Sequence, residues 1–392
     1  SIDYAFMVTV EKIMRHGCGL DLGRAFSHAR PMAIDSDLLK KFSEAHGISG
    51  HEDEVRALVA QELSGYGEFS ADGSGCLFCT SGDSGPRVML AAHMDEIGFL
   101  VQNITAGGFL QLVGIGGWWP HTLLSQRVLV RTRSGRRIQG VIGSRPPHFL
   151  PEGQRNTVMA MDALFVDVGA ESAEQVKNEF GIRLGDPVVP DAAFSHLENP
   201  FRVMGKAFDN RAGCACIVDT MKQLEKEQAS LAVNVVGAFA AQEEVGTRGA
   251  VVTSQIVKPD LAIVFEGSPS DDFFISAGQA QGCMKKGVQI RILDNSYISN
   301  TQFISLAEEV AEKCGIKYQE SVRRGGSTNA AKISVTGKAV PCLVLGVPSR
   351  YAHSHYNFCA KEDLEAASAM AANVIRALDE EKIRHICHQD VL

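Results

Sequence analysis

Residues 88–96 read VMLAAHMDE, an apolar run that ends abruptly in an imidazole and two carboxylates. Val88 to Ala92 are typical of a short buried strand. Ligands of open α/β sheets gather outside the carboxyl ends of the strands, which is where His93 and Asp95 would stand. We therefore expect a central strand with functional side chains at its end.

Three other predicted strands end in the same kind of chemistry. The acidic and histidine side chains that follow them are Glu243 and Glu244 after the run 231–239, Glu266 after the run 261–265, and His353 after the run 339–346. Asp209, just ahead of a predicted helix, is a further candidate. The carboxyl ends of parallel strands meet at one edge of a sheet, so we expect these side chains to converge.

Helical periodicity and apolar strands alternate over two parts of the chain. The predicted helices are 36–45, 51–63, 210–227, 301–314 and 361–383. This alternation predicts a covered, largely parallel sheet. The layout we expect is one α/β domain built from residues 35–97 and 201–392, preceded by an extension, residues 1–34, of unknown role.

Residues 98–200 have a different character, with short β-type runs separated by glycines. The six runs are GFLVQNI (98–104), GFLQLVGI (108–115), RVLVRTRSG (127–135), RRIQGVIG (136–143), ALFVDVGA (163–170) and DPVVPDAAF (186–194). Such a series predicts a small β-barrel or sandwich, inserted into the α/β domain.

Composition excludes several classes of protein. The 392 residues carry a formal net charge of −8, so the positive field that non-specific nucleic-acid binding requires is missing. No apolar run is long enough to span a membrane, and we read no secretory signal at the N-terminus. The 10 cysteines show no disulfide-framework spacing, which favours a reducing compartment, by default the cytoplasm.

The candidate residues have the chemistry of a divalent-metal site. Two imidazoles with three or four carboxylates suit Zn²⁺, Co²⁺ or Mn²⁺. A catalytic zinc usually takes three protein ligands, so a surplus with one bridging carboxylate suggests two metals about 3.5–4 Å apart. In the pair Glu243-Glu244, one carboxylate can bind metal while the other takes a proton. The spacing of His93 and Asp95 lets the aspartate orient the imidazole.

Six motifs, in this order, resemble the M42 peptidases, which are cobalt- or zinc-dependent aminopeptidases that form tetrahedral dodecamers. The motifs are LLKKFSEAHGISGHEDEVR (38–56), AAHMDEIGFLV (91–101), GIGGWWP (114–120), GKAFDNRAG (205–213), AQEEVGTRGA (241–250) and GVPSRYAHS (346–354). The resemblance covers nearly all of the chain from about Leu38 to Lys382. An ordered set of this kind is far more specific than any one motif.

The resemblance implies a fold, a site and an activity. The fold would be a phosphorylase/hydrolase-like α/β/α catalytic domain with a mixed, mostly parallel sheet, plus an inserted barrel that mediates subunit contacts in a homo-oligomer. Matched residue by residue, the metal ligands would be His93, Glu266, Glu244, His353 and a bridging Asp209. Glu243 would be the general base and Asp95 would support the ligands from behind. The activity would be release of N-terminal residues from short peptides, with two divalent metal ions, zinc or cobalt and alternatively manganese, activating the attacking water.

Two positions depart from the family pattern. Glu266 stands where aspartate is usual, and Asn329, in GGSTNA (325–330), stands where aspartate is common. These departures keep two alternatives open. One is a carboxypeptidase or amide deacylase that uses the same metal pair, and the other is an inactive metal-binding homologue acting as a scaffold.

Other features have simpler interpretations. His355 is a second candidate for the ligand role given to His353. Arg323-Arg324 is too short to be a basic patch, so a solvated face is expected.

Two further pairs have alternative interpretations. Cys76-x-x-Cys79 has zinc or redox spacing without a second cysteine pair nearby. Trp118 and Trp119 stand on a turn and cannot easily both be buried, so packing or subunit contact is favoured over substrate contact.

Overall fold

The computed structural model describes residues 34, 36–82 and 84–390. The strands are β1 (Glu68–Ala71), β2 (Leu77–Ser81), β3 (Arg87–His93), β4 (Gly98–Ile104), β5 (Leu110–Ile115), β6 (Arg127–Arg131), β7 (Arg137–Gly143), β8 (Phe165–Asp167), β9 (Pro187–Pro190), β10 (Ser195–His196), β11 (Arg202–Gly205), β12 (Asn234–Ala240), β13 (Leu261–Pro269), β14 (Val288–Leu293), β15 (Tyr318–Val322), β16 (Cys342–Arg350) and β17 (Asn357–Ala360). The helices are α1 (Ser36–Glu44), α2 (Asp53–Glu62), α3 (Ala173–Gln175), α4 (Phe208–Leu224), α5 (Arg248–Val257), α6 (Thr301–Cys314), α7 (Ala330–Ile333), α8 (Lys361–Ala377) and α9 (Glu380–Ile386).

The larger sheet has 11 strands and is parallel at its centre. Strands β12, β3, β13 and β16 lie side by side in that order and run parallel. Antiparallel strands flank them, with β2 and β1 beyond β12, and β17, β11 and β10 beyond β16. Strand β14 pairs antiparallel with β16 and carries β15.

Side chains on the two faces of this sheet enter two separate apolar cores. Leu90, Ile263 and Phe265 point into the larger core, which helices α1, α2, α4, α6, α8 and α9 cover. Met89 and Val264 point into the smaller core under α5 and α7. Each fully buried side chain of this size contributes roughly 1.5–3 kcal/mol. Because apolar residues are required on both faces, the central strands read as continuous apolar runs, and the predicted α/β fold is confirmed.

The remaining six strands form a closed barrel in the order β4, β5, β8, β7, β6, β9. Each strand falls inside one of the six β-type runs of residues 98–194, and β9 closes the barrel by pairing with β4. Alternate side chains, among them Phe99, Val128 and Val188, fill the interior. The predicted all-β insertion is therefore confirmed as a barrel, whereas the domain boundaries stay a prediction.

Sequence periodicity predicted one helix over 361–383, and this is wrong. Helix α8 ends at Ala377, Asp379 is extended with φ −139°, and α9 begins after it. The Asp379 carboxylate accepts a hydrogen bond from the Lys382 backbone N–H at 2.8 Å, which caps the new helix. The strands β1, β2, β10, β11, β14, β15 and β17 were not predicted, because most of their runs are short and half-polar.

Residues 1–33 lie outside the described part of the chain, so the interpretation of the N-terminal extension stays a prediction. Among the described residues, no helix is both long enough and apolar enough to cross a membrane.

Candidate active site

Strand ends and the segments that follow them bring the predicted site residues to one rim of the sheet. The residues are His93 at the end of β3, Glu243 and Glu244 in the turn after β12, Glu266 within β13, His353 in the turn after β16, and Asp209 at the start of α4. The parallel register aligns these ends, since Ala240 pairs with His93 and Glu266 with Gly346. The predicted convergence is present.

Asp209 lies between the two histidines. Its Oδ1 is 3.2 Å from His93 Nε2, and its Oδ2 is 3.4 Å from His353 Nε2. Glu266 Oε1 lies 3.8 Å from His93 Nε2, and Glu244 Oε1 lies 3.5 Å from His353 Nε2. Two three-residue groups that could each hold a metal ion therefore share Asp209, and within each group the candidate ligand atoms lie within 4.8 Å of one another.

Glu243 is the remaining carboxylate at this rim. Its Oε2 lies 3.8 Å from His93 Nε2, and it lines the cavity described below. With His93 and Glu244 it makes a third group that could hold a metal ion. Geometry alone thus leaves Glu243 available either as a ligand or as a base.

Crowded acidic groups perturb one another's protonation. Burial, together with the charge of Asp209, raises the pKa of Glu266 to about 8. Burial also raises the pKa of Glu243 to about 7 and that of Glu244 well above its usual value. Burial opposes protonation of His353, but contact with Asp209 and the charge of Glu244 outweigh it and raise the pKa to about 10. A buried positive charge at this rim would relieve the repulsion between these carboxylates.

The donor set fits divalent metal ions. Four carboxylates and two imidazoles are the ligand types that Zn²⁺, Co²⁺ and Mn²⁺ accept. Within the described part of the chain, the buried Glu266 Oε2 has no hydrogen-bond partner, so this oxygen is free to accept a ligand. The longer glutamate therefore still brings its carboxylate to His93.

Asp95 holds the turn that carries the two glutamates. Its carboxylate accepts hydrogen bonds from the backbone N–H groups of Glu243 and Glu244, at 2.9 and 3.0 Å, and from the Ser49 hydroxyl at 2.6 Å. His93 Nδ1 lies 3.0 Å from the Asp95 backbone oxygen and 3.5 Å from its carboxylate. The sequence predicted only the contact with histidine, and nothing in the spacing indicated the contacts with the turn or with Ser49.

A loop of the barrel supports His353. The Nδ1 of His353 donates a hydrogen bond to the Gly117 carbonyl at 2.8 Å, which orients the ring with Nε2 toward Asp209 and Glu244. Gly116 has φ +77°, and a Cβ atom there would lie 3.1 Å from Glu244 Oε2. Both glycines belong to the motif GIGGWWP, which was one of the six motifs of the family resemblance. Their position beside the site was not predicted.

Gly267 allows Asp209 to reach the rim. A Cβ atom on Gly267 would lie 2.5 Å from the Asp209 Cα and 2.8 Å from its nitrogen, both backbone atoms. The chain at Asp209 thus crosses β13 at a distance that only glycine permits. The Asp209–Asn210 peptide bond at this crossing is cis.

A buried ionic cluster lies beneath the site. Glu96 accepts hydrogen bonds from Lys206 Nζ at 2.5 and 2.7 Å and lies 3.2 Å from Arg211 Nη2. Arg211 also donates to the carbonyls of Phe42 and Gly47. The cluster joins α1 and the loop after it to the segment after β3 and to α4, which helps to keep Ser49 beside Asp95.

A cavity of about 1310 Å³ opens over the rim. The site residues that line it are Asp209, Glu243, Glu244, Glu266 and His353, and three arginines also contribute: Arg291, Arg323 and Arg324. Arg323 is only partly exposed, so the expectation of a solvated face for this residue is wrong. The sequence did not indicate that Arg323 lines the site, because Arg291 and Arg323 are 32 positions apart and come together only in the fold.

His355 lies apart from the metal-type groups and packs near Trp118, with ring centroids 5.7 Å apart. Trp118 stacks on Phe99 and donates its indole N–H to the Gly98 carbonyl, whereas Trp119 is exposed. Of the two indoles, that of Trp118 is therefore packed and that of Trp119 is not. Asn329 is fully buried, and among the described residues its side-chain amide has no hydrogen-bond partner.

Cys76 and Cys79 enter different cores, on opposite faces of the sheet. This placement argues against one metal bound by both thiols.

The fold and this donor set define an α/β/α protein with a candidate centre for divalent metals. The chain belongs to the M42 peptidase family, because the family's sequence model, described as M42 glutamyl aminopeptidase, matches residues 75–370. It is therefore a hydrolytic exopeptidase of the aminopeptidase type.

Individual relatives agree with this assignment. The chain is 33% identical to the glutamyl aminopeptidase of Lactococcus lactis, over 89% of this chain and 98% of that protein. It is 31% identical to the lysyl aminopeptidase of Pyrococcus furiosus, over 88% and 98%. Among solved structures, a TET aminopeptidase from Thaumarchaeota archaeon SCGC AB-539-E09 superimposes with a TM-score of 0.86, at 35% identity over 90% of this chain and 99% of that one. The TET1 peptidase of Pyrococcus horikoshii, described as assembling into a tetrahedron or a large octahedral shell, has a TM-score of 0.78 at 31% identity, over 88% and 99%.

Proposed function

We propose that the protein removes N-terminal residues from short peptides with two divalent metal ions, zinc or cobalt and alternatively manganese. The observation that carries the proposal is Asp209, which belongs to two three-residue groups and directs one carboxylate oxygen toward the histidine of each. His93 and Glu266 would complete one group, and Glu244 and His353 the other. When bound, such cations polarise the scissile carbonyl and lower the pKa of water.

Glu243 is the proposed general base. Its carboxylate lines the cavity and lies 3.8 Å from His93 Nε2, which suits a group that takes a proton from water and returns it to the leaving amine. Asp95 is a positioning residue, because it holds the backbone of the Glu243-Glu244 turn through two amide hydrogen bonds. His353 is oriented from behind by the Gly117 carbonyl.

The first experiment is hydrolysis of a panel of aminoacyl-anilides by the metal-stripped protein and by the protein reloaded with Zn²⁺, Co²⁺ or Mn²⁺. Metal-restored cleavage of free-amine substrates supports the proposal. Cleavage of an N-acetylated control would instead indicate the deacylase alternative. Two bound metals per chain with no turnover would indicate the inactive homologue.

Replacing the base gives a sharper prediction. Glu243→Gln removes the proton acceptor while keeping the size of the side chain, so we expect kcat to fall by roughly 10²-fold or more with metal binding retained. Steady-state kinetics and metal analysis of the same sample test this. Glu198→Gln, a change on an exposed loop, is the matched control. An unchanged rate in the Glu243 variant would exclude this role.

We also propose the domain layout and assembly. Residues 35–97 and 201–392 would form the catalytic domain, and residues 98–200 an oligomerisation domain. Supporting this, the insertion exposes apolar side chains, notably Val113, Trp119, Leu124, Val141, Phe149 and Val158. A related solved structure, PhTET1-12s, is described as a dodecamer, and for the same assembly here light scattering would give twelve times the chain's 42.2 kDa. Phe149→Glu should weaken the assembly.

A cytoplasmic location is proposed on the cysteines. The nine within the described residues are free thiols, which suits a reducing compartment. Fractionation of cells with an antibody against the protein would test it.

A further inference from the structure

Two arginines, Arg291 buried and Arg323 partly buried, line the same cavity as the candidate metal site. Arg291, on β14, is 2% exposed, and Arg323 directly follows β15. The backbone N–H of Arg323 donates to the Leu293 carbonyl at 2.9 Å, which places it beside the end of β14. Buried guanidinium groups are stable only when acceptors surround them.

The structure leaves part of each guanidinium without an acceptor. Arg291 Nη2 donates to Ser268 Oγ at 2.6 Å, and Nη1 lies 3.3 Å from Asp294 Oδ2. Arg323 Nε donates to Ser321 Oγ at 3.0 Å. Over the residues that the structure describes, Arg291 Nε and Arg323 Nη2 are buried donors with no hydrogen-bond partner.

The acidic groups nearby do not satisfy these donors. Asp271 Oδ2 is 4.0 Å from Arg323 Nη2, and its carboxylate already accepts the backbone N–H groups of Gln281 and Gly282. Asp294 lies at hydrogen-bond distance from Nη1 of Arg291, not from its Nε. Burial, followed by the positive charge of Arg291, lowers the pKa of Arg323, which is the direction expected of two cations that lack an anion between them.

The arginines lie close to the candidate metal site, at a distance that the side chain of a substrate residue can span. Glu266 and Ser268 are two residues apart on β13, so their Cα atoms are about 6.5 Å apart and their side chains leave the same face. Arg291 contacts Ser268, while Glu266 faces His93. Strand β13 therefore fixes the distance between a group bound by the arginines and the candidate metal site.

We propose that Arg291 and Arg323 bind the side-chain carboxylate of the substrate's first residue, so that the enzyme prefers peptides with an acidic N-terminal residue. This inference rests on the proposed aminopeptidase function. A carboxylate matches the forked guanidinium donors. The first side chain lies at a constant distance from the scissile bond, as rigidly held arginines require, whereas a peptide's C-terminal carboxylate moves with peptide length. The names of the relatives do not decide the matter, since one is a glutamyl and another a lysyl aminopeptidase.

The test measures how fast the metal-reloaded wild-type enzyme hydrolyses the anilides of glutamate, glutamine, leucine and lysine. Glutamate and glutamine differ in charge but hardly in size. We expect kcat/KM to favour the glutamyl substrate over the glutaminyl one by roughly 10- to 100-fold, with the lysyl substrate the poorest. Equal or better cleavage of the glutaminyl or lysyl substrate would overturn the inference and leave the aminopeptidase function standing. Cleavage of none would refute the proposed function itself.

Variants assign the preference to the arginines. Arg323→Gln should bring the glutamyl-to-glutaminyl ratio close to one, and Arg323→Lys should retain part of it. Arg384→Gln, on the exposed side of α9, makes the same charge change outside the cavity and should keep the wild-type ratio. Circular dichroism and metal content confirm folding, and the wild-type comparison holds even if a variant misfolds.

A control separates the two possible carboxylates of a peptide. Tri-alanine and its C-terminal amide differ only in the terminal charge. If Arg323→Gln abolished a preference between these two and left the glutamyl-to-glutaminyl ratio unchanged, the arginines would bind the peptide's C-terminus and the inference would be wrong.

Discussion

At the scale of single residues, the site depends on groups that are not ligands. Gly267 has no side chain, yet it decides whether Asp209 can lie between the histidines, because the two backbones nearly touch. Asp95 is likewise fully buried, and it holds two glutamates through their backbone N–H groups. Residues of this kind act by fixing the positions of the candidate ligands and of the base.

Gly267→Ala should therefore damage the site. The added methyl would meet Asp209 backbone atoms at 2.5 and 2.8 Å, so the strand and the start of α4 must separate. We expect a stability loss of about 1–3 kcal/mol and, because a displacement near 1 Å is enough, a fall in kcat of about 10²-fold. Gly278→Ala, where a Cβ meets nothing within 4 Å, is the control. Wild-type turnover in Gly267→Ala would contradict this account.

A buried histidine makes stability depend on pH. Burial, and secondarily the charge of Lys206, lowers the pKa of His46 to about 2 from 6.5. Below pH 6.5 the unfolded chain binds a proton at this site that the folded chain does not, so stability falls as the pH is lowered, by about 1.4 kcal/mol per pH unit for this group.

Urea unfolding of wild type and His46→Gln at pH 7 and pH 5 tests this. The variant should lose less stability than wild type over the interval. His148→Gln, at an exposed position, should match wild type. Identical pH dependence in all three proteins would show that His46 does not contribute.

At the scale of elements, parallel strands bring their carboxyl ends together, and the segments that follow provide the functional groups. The turn after β12 carries Glu243 and Glu244, and the turn after β16 carries His353. Caps set where the helices begin and end, as the break between α8 and α9 shows. Local signals therefore decide where each element stops.

Asp379→Ala should loosen α9. The carboxylate accepts a hydrogen bond from the Lys382 backbone N–H, and loss of such a cap lowers the free energy of unfolding by about 1 kcal/mol. Asp379→Asn keeps an acceptor and should retain most of the stability. Denaturant midpoints measure the difference. Equal losses in both variants would point to the contact with Lys382 Nζ instead.

At the scale of the whole molecule, the site is completed by parts that are distant in sequence. The barrel contributes the Gly117 carbonyl to His353, and the ionic cluster of Glu96, Lys206 and Arg211 ties the first helix to the sheet. The carboxylates repel one another in the absence of a cation, so the folded state should be sensitive to metal.

Metal removal should lower the melting temperature, since a ligand that binds only the folded state stabilises it by mass action, about 4 kcal/mol at a thousandfold excess over Kd. Calorimetry of stripped and reloaded protein measures this. In Asp209→Asn, which weakens both candidate metal-binding groups, metal removal should change the melting temperature much less. An equal shift in that variant would place the stabilising metal elsewhere.

The sequence by itself determined the α/β class, the all-β character of the insertion and the candidate residues at the strand ends, because these are recorded in local periodicity and ordered motifs. The tertiary structure alone decided which side chains meet. It brought Ser49 to Asp95, Gly117 to His353, and Arg291 to Arg323. The physical reason is that the periodicity of a segment reports which face is buried, whereas contacts between segments far apart in the chain depend on how the elements pack.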